Sequence, residues 1–194
     1  MKIQIHSPSH YITDLRYPWS RHLEQWPSEL FVEVARGIHR NVVRFISNKG
    51  RVYALKELRT PIARNEYNLL REMQEMGLPV VEPVGLVTNR NEGVSRVKSR
   101  FSLVGDDMDM TDRALLVTHY LEGALPYRII IQQGISPEQL GQMLDALVEL
   151  LARLHLSGIY WGDCSLSNAL FRRDAGLMAA YLVDAETSEI YPTL

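Results

Sequence analysis

Residues 154–171 of this chain read LHLSGIYWGDCSLSNALF, and the segment Leu182-Val183-Asp184 follows shortly after them. An apolar helical pattern is predicted to end at Gly158, and the short loop that follows carries Asp163 and Asn168. One strand should come next, and after a glycine-containing turn a second strand should lead to Asp184. This order of elements predicts that three polar side chains from one compact unit converge on a single site.

The residue types of this unit suit a magnesium–phosphate site. Magnesium prefers hard oxygen ligands and keeps several of its waters, so Asn168 and Asp184 together with substrate phosphates could hold the ion. Asp163 would then be left to orient or deprotonate an attacking hydroxyl. These are the components of kinase-type phosphoryl transfer.

The pattern Leu-His-x-x-Gly-Ile-x-x-Gly-Asp-x-x-x-x-Asn, which starts at Leu154 and ends at Asn168, resembles the catalytic loop of the protein-kinase-like superfamily. Its Trp-Gly-Asp form is closer to bacterial small-molecule and lipopolysaccharide kinases than to eukaryotic protein kinases. The wider chain, including residues 182–186, resembles an uncharacterised bacterial family described as lipopolysaccharide-kinase-like. The resemblance implies an α+β, protein-kinase-like fold with a β-rich N-lobe, a helical C-lobe, and a site for ATP and Mg²⁺.

Length, composition and charge narrow the class of protein. The chain has 194 residues, 46% hydrophobic and 23% charged, which is typical of an ordinary globular protein. A net charge of −2 argues against a dedicated nucleic-acid binder. The single cysteine, Cys164, permits no intrachain disulfide and fits a reducing cytosol. No apolar run approaches the roughly 20 residues of a membrane span, so we expect a cytoplasmic protein without a transmembrane segment.

An ion pair is predicted upstream. Alternation in the strand at residues 51–58 places Lys56 at the end of a small, apolar face with Val52 and Ala54. The helix that follows, from Thr60 as a capping residue to Met76, has Glu66 inside its apolar stripe of Ile62, Leu69, Leu70, Met73 and Met76. An unpaired buried charge costs several kcal/mol, so Lys56 is the predicted partner of Glu66.

The resemblance assigns further roles in nucleotide binding. It implies that Lys56 holds the phosphates in its pair with Glu66, and that Ala54 covers the adenine. In the strand and tail at residues 113–123, Thr118 would be the gatekeeper, and His119 and Leu121 would supply backbone hydrogen bonds. Relatives cover the phosphates with a glycine-rich loop, whereas the matching turn here has one glycine, Gly37, so Arg40 or His39 could contact phosphate instead.

The remaining segments give the expected domain organisation. Residues 1–30 are predicted to be an N-terminal extension with a short helix near residues 20–25, residues 31–123 the N-lobe and residues 124–194 a partial C-lobe. Strands are predicted at residues 31–34 and 42–46. The helix from Ser136 to Ser157 should start with a capping box and pack as a core helix. Its predicted stripe is Leu140, Met143, Leu144, Leu147, Leu151 and Leu154.

Only ten residues follow Asp184, whereas relatives continue into further helices. We therefore expect either a fragment of a longer protein or a reduced member with an incomplete C-lobe. Exposed apolar surface on that lobe would then favour self-association.

The predicted function is Mg-ATP-dependent phosphoryl transfer to a hydroxyl of a sugar or lipopolysaccharide-type acceptor, a small metabolite or a protein. Asp163, Lys56 and Glu66 would be catalytic residues, and Asn168 and Asp184 would hold the metal. The alternative is a catalytically silent, nucleotide-binding pseudokinase or scaffolding module. This alternative is favoured by the turn that has Gly37 as its one glycine, and by the short end of the chain.

Overall fold

The structure is a computed structural model that describes residues 2–5, 17–34, 42–90 and 113–191. Its N-terminal part is built on a five-stranded antiparallel sheet with the strand order β1-β4-β5-β3-β2. The strands are β1 (Lys2–Ile5), β2 (Val42–Asn48), β3 (Arg51–Arg59), β4 (Pro83–Thr88) and β5 (Arg113–His119). The hairpin between β2 and β3 turns at Lys49 and Gly50, whose φ angles of 49° and 77° lie in the left-handed region.

One helix, α1 (Thr60–Glu75), covers one face of this sheet. Its buried residues Ala63, Leu70 and Met73 follow helical spacing. The predicted capping role of Thr60 is wrong, because Arg59 takes the capping position and the buried Thr60 hydroxyl has no hydrogen-bond partner. Met76 is also not part of the core, because it lies just past the last turn and is 44% exposed.

The opposite face of the sheet is covered by residues near the N-terminus. Strand β1 pairs with β4, and an aromatic cluster of Tyr17, Trp19, Trp26 and Phe31 packs edge-to-face and stacked at centroid distances of 5.3–6.2 Å. Short 3₁₀ helices at Leu23–Gln25 and Ser28–Leu30 connect this layer, the first of them close to the predicted short helix. Residues expected to be an extension thus bury aromatic side chains against the sheet.

The strand predicted at residues 31–34 is not formed. Of these residues, Val32 donates one backbone hydrogen bond to the carbonyl of Phe45, at 2.9 Å, beside strand β2. Phe31 stacks on Trp26 instead, so side-chain packing holds this segment where a strand ladder was expected.

The C-terminal part consists of β6 (Leu125–Pro126), α2 (Tyr127–Gln132), α3 (Pro137–Leu156), β7 (Ile159–Trp161), β8 (Ala169–Asp174), β9 (Leu177–Leu182) and β10 (Ser188–Ile190). Strands β6, β8 and β9 form one sheet, and β7 pairs with β10. The predicted capping box at the start of α3 is present, since Ser136 and Gln139 exchange hydrogen bonds of 3.0 and 3.2 Å.

Helix α3 buries part of the predicted stripe, and Leu147 and Leu151 of that stripe pack half-buried against the core. Met143, Ala146, Leu150 and Leu154 are buried, whereas Leu140 and Leu144 are 39% and 49% exposed. The prediction for Leu140 and Leu144 is wrong because the helix presents its small residue Ala146 to the core. When the apolar surface of a helix is broad, the sequence does not tell which edge of that surface neighbouring elements cover.

Backbone hydrogen bonds and a shared apolar core join the two parts of the structure. Val81 donates to the carbonyl of Leu182 at 3.0 Å, and Leu182 donates to that of Pro79 at 2.9 Å. One apolar cluster extends from α1 and β4 to α3, β8 and β9. Within the described ranges, no helix is long and apolar enough to cross a membrane.

Candidate active site

The two parts of the structure enclose a cleft of about 480 Å³. The residues that line it include every sequence-predicted site residue that the structure describes: Ala54, Lys56, Glu66, His119, Leu121, Asp163, Asn168 and Asp184. Gly37, together with His39 and Arg40, lies outside the described residues. Side chains separated by up to 130 positions in sequence are therefore brought to one site.

Lys56 lies at the centre of the ionic contacts in the cleft. Its Nζ donates to both carboxylate oxygens of Glu66 at 3.0 Å and to Oδ2 of Asp184 at 2.8 Å. An oxygen of Glu186 lies 3.8 Å from the same nitrogen. The predicted ion pair between Lys56 and Glu66 is present, and it includes a third residue from the opposite side of the cleft.

Burial dominates the electrostatics of this cluster. Glu66 is 0% exposed, and its burial raises its pKa to about 7 although Lys56 acts in the opposite direction. Burial by itself would lower the pKa of Lys56, but Glu66 and Asp184 raise it above its ordinary value. The ammonium group therefore stays charged at neutral pH.

Asp184 is fixed from three directions. Besides its contact with Lys56, its Oδ1 accepts a hydrogen bond from the backbone N–H of Glu186 at 3.1 Å. Its backbone carbonyl accepts one from Nε1 of the buried Trp161, also at 3.1 Å. The indole of Trp161 thus links the strand before the Asp163 loop directly to the Asp184 segment.

The side chain of Asn168 closes the loop that carries Asp163. Nδ2 of Asn168 donates to the carbonyl of Asp163 at 3.1 Å, within a turn that includes the 3₁₀ helix Leu166–Asn168. The backbone N–H of Val183 donates to the carbonyl of Asn168 at 3.0 Å. Asn168 and Asp184 are thereby held as neighbours.

The side chains of Asn168, Asp184 and Glu186 could together hold a divalent cation. Because Asn168 uses its Nδ2 within the loop, its amide oxygen is the atom that can serve as a ligand. Carboxylate oxygens of Glu66, Asp184 and Glu186 lie within 4.8 Å of one another. Hard oxygen donors of this kind fit Mg²⁺, with Asn168, Asp184 and Glu186 as the residues accessible from the cleft.

Sequence reasoning did not assign Glu186 to the site. The signal that could have found it is a second carboxylate two residues after Asp184, because an aspartate favours a local turn. Here Oδ1 of Asp184 accepts a hydrogen bond from the backbone N–H of Glu186. Arg128 on α2 also lines the cleft and was not predicted, and no motif surrounds it.

Apolar side chains also line the cleft. Val43, Phe45, Ala54, Leu116 and Leu170 line it, close to the segment predicted to contact adenine. Thr118 pairs with Ala54 across the sheet. The backbone N–H of His119 donates to the carbonyl of Glu82 at 2.9 Å, so its predicted backbone contact with a ligand can involve only its carbonyl.

The comparisons with known proteins agree with this geometry. A model of the phosphotransferase enzyme family matches residues 31–189. Among solved structures, WaaP in complex with acyl carrier protein matches with a TM-score of 0.57 at 16% identity, over 100% of this chain and 74% of that one. No curated protein matches significantly. The α+β, kinase-like fold predicted from the sequence is confirmed.

Gly162 is required by close packing between the two loops of the site. A Cβ atom at this position would lie 2.6 Å from the carbonyl oxygen of Thr187. Gly162→Ala must therefore displace the Asp163 loop from the segment after Asp184. We expect it to lower the free energy of unfolding by about 1–3 kcal/mol, measured by urea denaturation.

Gly141→Ala on α3 is the matched control, because an added Cβ there meets no atom within 4 Å. Alanine is favoured over glycine in a helix, so this variant should be neutral or more stable by about 1 kcal/mol or less. Equal stability changes in the two variants would contradict the packing argument.

Proposed function

The chain belongs to the phosphotransferase enzyme family, and we propose that it transfers the γ-phosphoryl group of Mg-ATP to a hydroxyl group of an acceptor. The observation that carries this proposal is the convergence of Lys56, Asp163, Asn168 and Asp184 on one cleft. This set combines a phosphate-binding cation, a hydroxyl-orienting carboxylate and oxygen ligands for a metal.

The base of the nucleotide would lie against apolar side chains that line the cleft. Val43, Ala54 and Leu170 would contact the two faces of the adenine, and the backbone of His119 and Leu121 would contact its polar edge. Lys56 would contact the phosphates, because Glu66 and Asp184 hold its Nζ at the junction of the two parts of the fold.

Asn168, Asp184 and Glu186 would hold the divalent cation. When bound, Mg²⁺ neutralises charge on the phosphate oxygens and orients them for in-line transfer. The protein contributes fixed ligand positions, because Asp184 is hydrogen-bonded through both its carboxylate and its carbonyl.

Asp163 would act on the acceptor. It orients the hydroxyl and accepts its proton as the oxygen attacks the γ-phosphorus. A bond forms between the acceptor oxygen and that phosphorus, the bond from the phosphorus to the β–γ bridging oxygen breaks, and ADP leaves with that oxygen. The proton then passes from Asp163 to solvent. We propose a sugar or lipopolysaccharide-type hydroxyl as the first acceptor class to screen.

Mg-ATP should stabilise the protein against heat, since a ligand that binds only the native state adds about 2.7 kcal/mol at a hundredfold excess over its Kd. The measurement is a thermal-shift titration of ATP with and without magnesium. Lys56→Ala and Asp184→Ala should each reduce the shift relative to their own unliganded melting temperatures. A wild-type protein that shows no shift at millimolar Mg-ATP would count against nucleotide binding.

Asp163→Asn should separate chemistry from binding. The substitution is nearly isosteric and removes the carboxylate on the acceptor side, so turnover should fall about 10²- to 10⁴-fold while Mg-ATP affinity is retained. A coupled ADP-release assay and a nucleotide titration measure the two quantities. Binding without turnover in the wild-type protein, across the acceptor screen, would favour the silent nucleotide-binding alternative instead.

We propose that the exposed face of α3 contacts a second copy of this chain. Leu140, Leu144 and Val148 are spaced four residues apart and are 39%, 49% and 64% exposed, so they form one apolar stripe. We expect light scattering to give a mass above the 22.2 kDa of one chain, and Leu144→Lys to reduce it. A wild-type monomer at all concentrations would contradict this.

A further inference from the structure

Arg128 stands apart from the other charged residues of the cleft. The lining contains four carboxylates, from Glu66, Asp163, Asp184 and Glu186, and two permanent cations, Lys56 and Arg128. Lys56 is bound by carboxylates at 2.8 and 3.0 Å. Within the described part of the chain, no carboxylate lies within ion-pair distance of the Arg128 guanidinium.

The fold positions Arg128 on the same side as the Asp163 loop. It is the second residue of α2, directly after strand β6, and Pro126 of β6 pairs with Leu170 of β8. Leu170 lies two residues after Asn168, so α2 begins beside the end of the loop. Lys56, by contrast, reaches the cleft from the five-stranded sheet.

The Arg128 side chain is exposed, and the ring of Tyr127 orients its guanidinium. Its central carbon lies 5.3 Å from the centroid of the Tyr127 ring, a distance typical of a cation–π contact. Arginine presents a planar fork of donors that matches phosphate and carboxylate groups. A cation that lines an acidic cleft, and that has no carboxylate within ion-pair distance among the described residues, favours an anionic ligand.

We propose that Arg128 forms an anion subsite for the acceptor, which therefore carries a phosphate or carboxylate group in addition to its reacting hydroxyl. This inference rests on the proposed function, because it takes Asp163 as the residue that orients the acceptor. An anionic acceptor would otherwise be repelled by Asp163, and Arg128 offsets that repulsion on the same side of the cleft. Arg128 is thus a specificity-determining residue.

Inorganic phosphate is the probe that tests this subsite. Protein saturated with magnesium and a non-hydrolysable ATP analogue is titrated with phosphate at constant ionic strength, and binding is followed by calorimetry. The wild-type protein should bind phosphate in addition to the analogue. Arg128→Gln should weaken phosphate binding about 10-fold or more, because a hydrogen-bonded charge pair is lost.

Arg173→Gln is the control, because Arg173 is an exposed arginine on β8 that does not line the cleft. It should bind phosphate as the wild type does. Absence of phosphate binding to the loaded wild type, or equal binding by Arg128→Gln, would overturn the proposal. Competition between phosphate and the analogue would also overturn it, since Arg128 would then serve the nucleotide.

The same titrations distinguish a failure of this inference from a failure of the proposed function. If the analogue does not bind in the presence of magnesium, the proposed function fails on that result alone. Phosphate binding that is lost in Arg128→Gln, measured without the analogue, would then still establish an anion site at Arg128.

Discussion

The buried carboxylate of Glu66 is the constraint on which the rest of the site depends. A buried carboxylate left without a partner destabilises a fold by about 3–5 kcal/mol, so the packing of α1 is favoured where a cation reaches Glu66. Lys56 supplies that cation from β3, and the same Nζ contacts Asp184 at 2.8 Å. The positions of a helix, a strand and the segment after β9 are therefore determined together, and the cleft forms where they meet.

Glu57, the residue after Lys56 on β3, forms a buried ion pair on the other face of the sheet. Glu57 points away from the cleft and binds the guanidinium of Arg90, which is 0% exposed. Arg90 also donates to the carbonyls of Trp19, at 2.7 Å, and Arg21, and the backbone N–H of Leu23 donates to Glu57 at 3.0 Å. Two adjacent charged residues of β3 thus hold one layer on each face of the sheet. Lys56 contacts α1, and Glu57 contacts the N-terminal layer through Arg90.

Rigid packing around the loops complements these ionic contacts. Trp161 donates to the carbonyl of Asp184, and Gly162 allows the backbone of Thr187 to approach closely. Both residues precede Asp163 directly, so the position of that carboxylate relative to Asp184 depends on packing beneath the loop. A site that transfers a phosphoryl group by positioning and electrostatics requires this kind of fixed separation.

Local sequence determined the elements and most of the candidate site. Helical spacing with a charge inside the apolar stripe identified Glu66, strand alternation identified Lys56, and the spacing from Asp163 to Asn168 identified the loop. The ion pair and the loop form where these patterns predict them, because periodicity and turn chemistry act over a few residues. The capping role of Thr60, the strand at residues 31–34 and the core positions of Leu140 and Leu144 were wrong, because each depends on what packs against the segment.

Only the tertiary structure decided which distant residues join the site and which surfaces are covered. Glu186 reaches the Lys56 cluster because the backbone folds back at Asp184, and Arg128 reaches the cleft because β6 pairs with β8. Residues 17–31 form a layer on the sheet because aromatic side chains, spaced without any period, find one apolar face to cover. Such long-range contacts have no local signature in the sequence, since they depend on the three-dimensional arrangement of elements that are far apart along the chain.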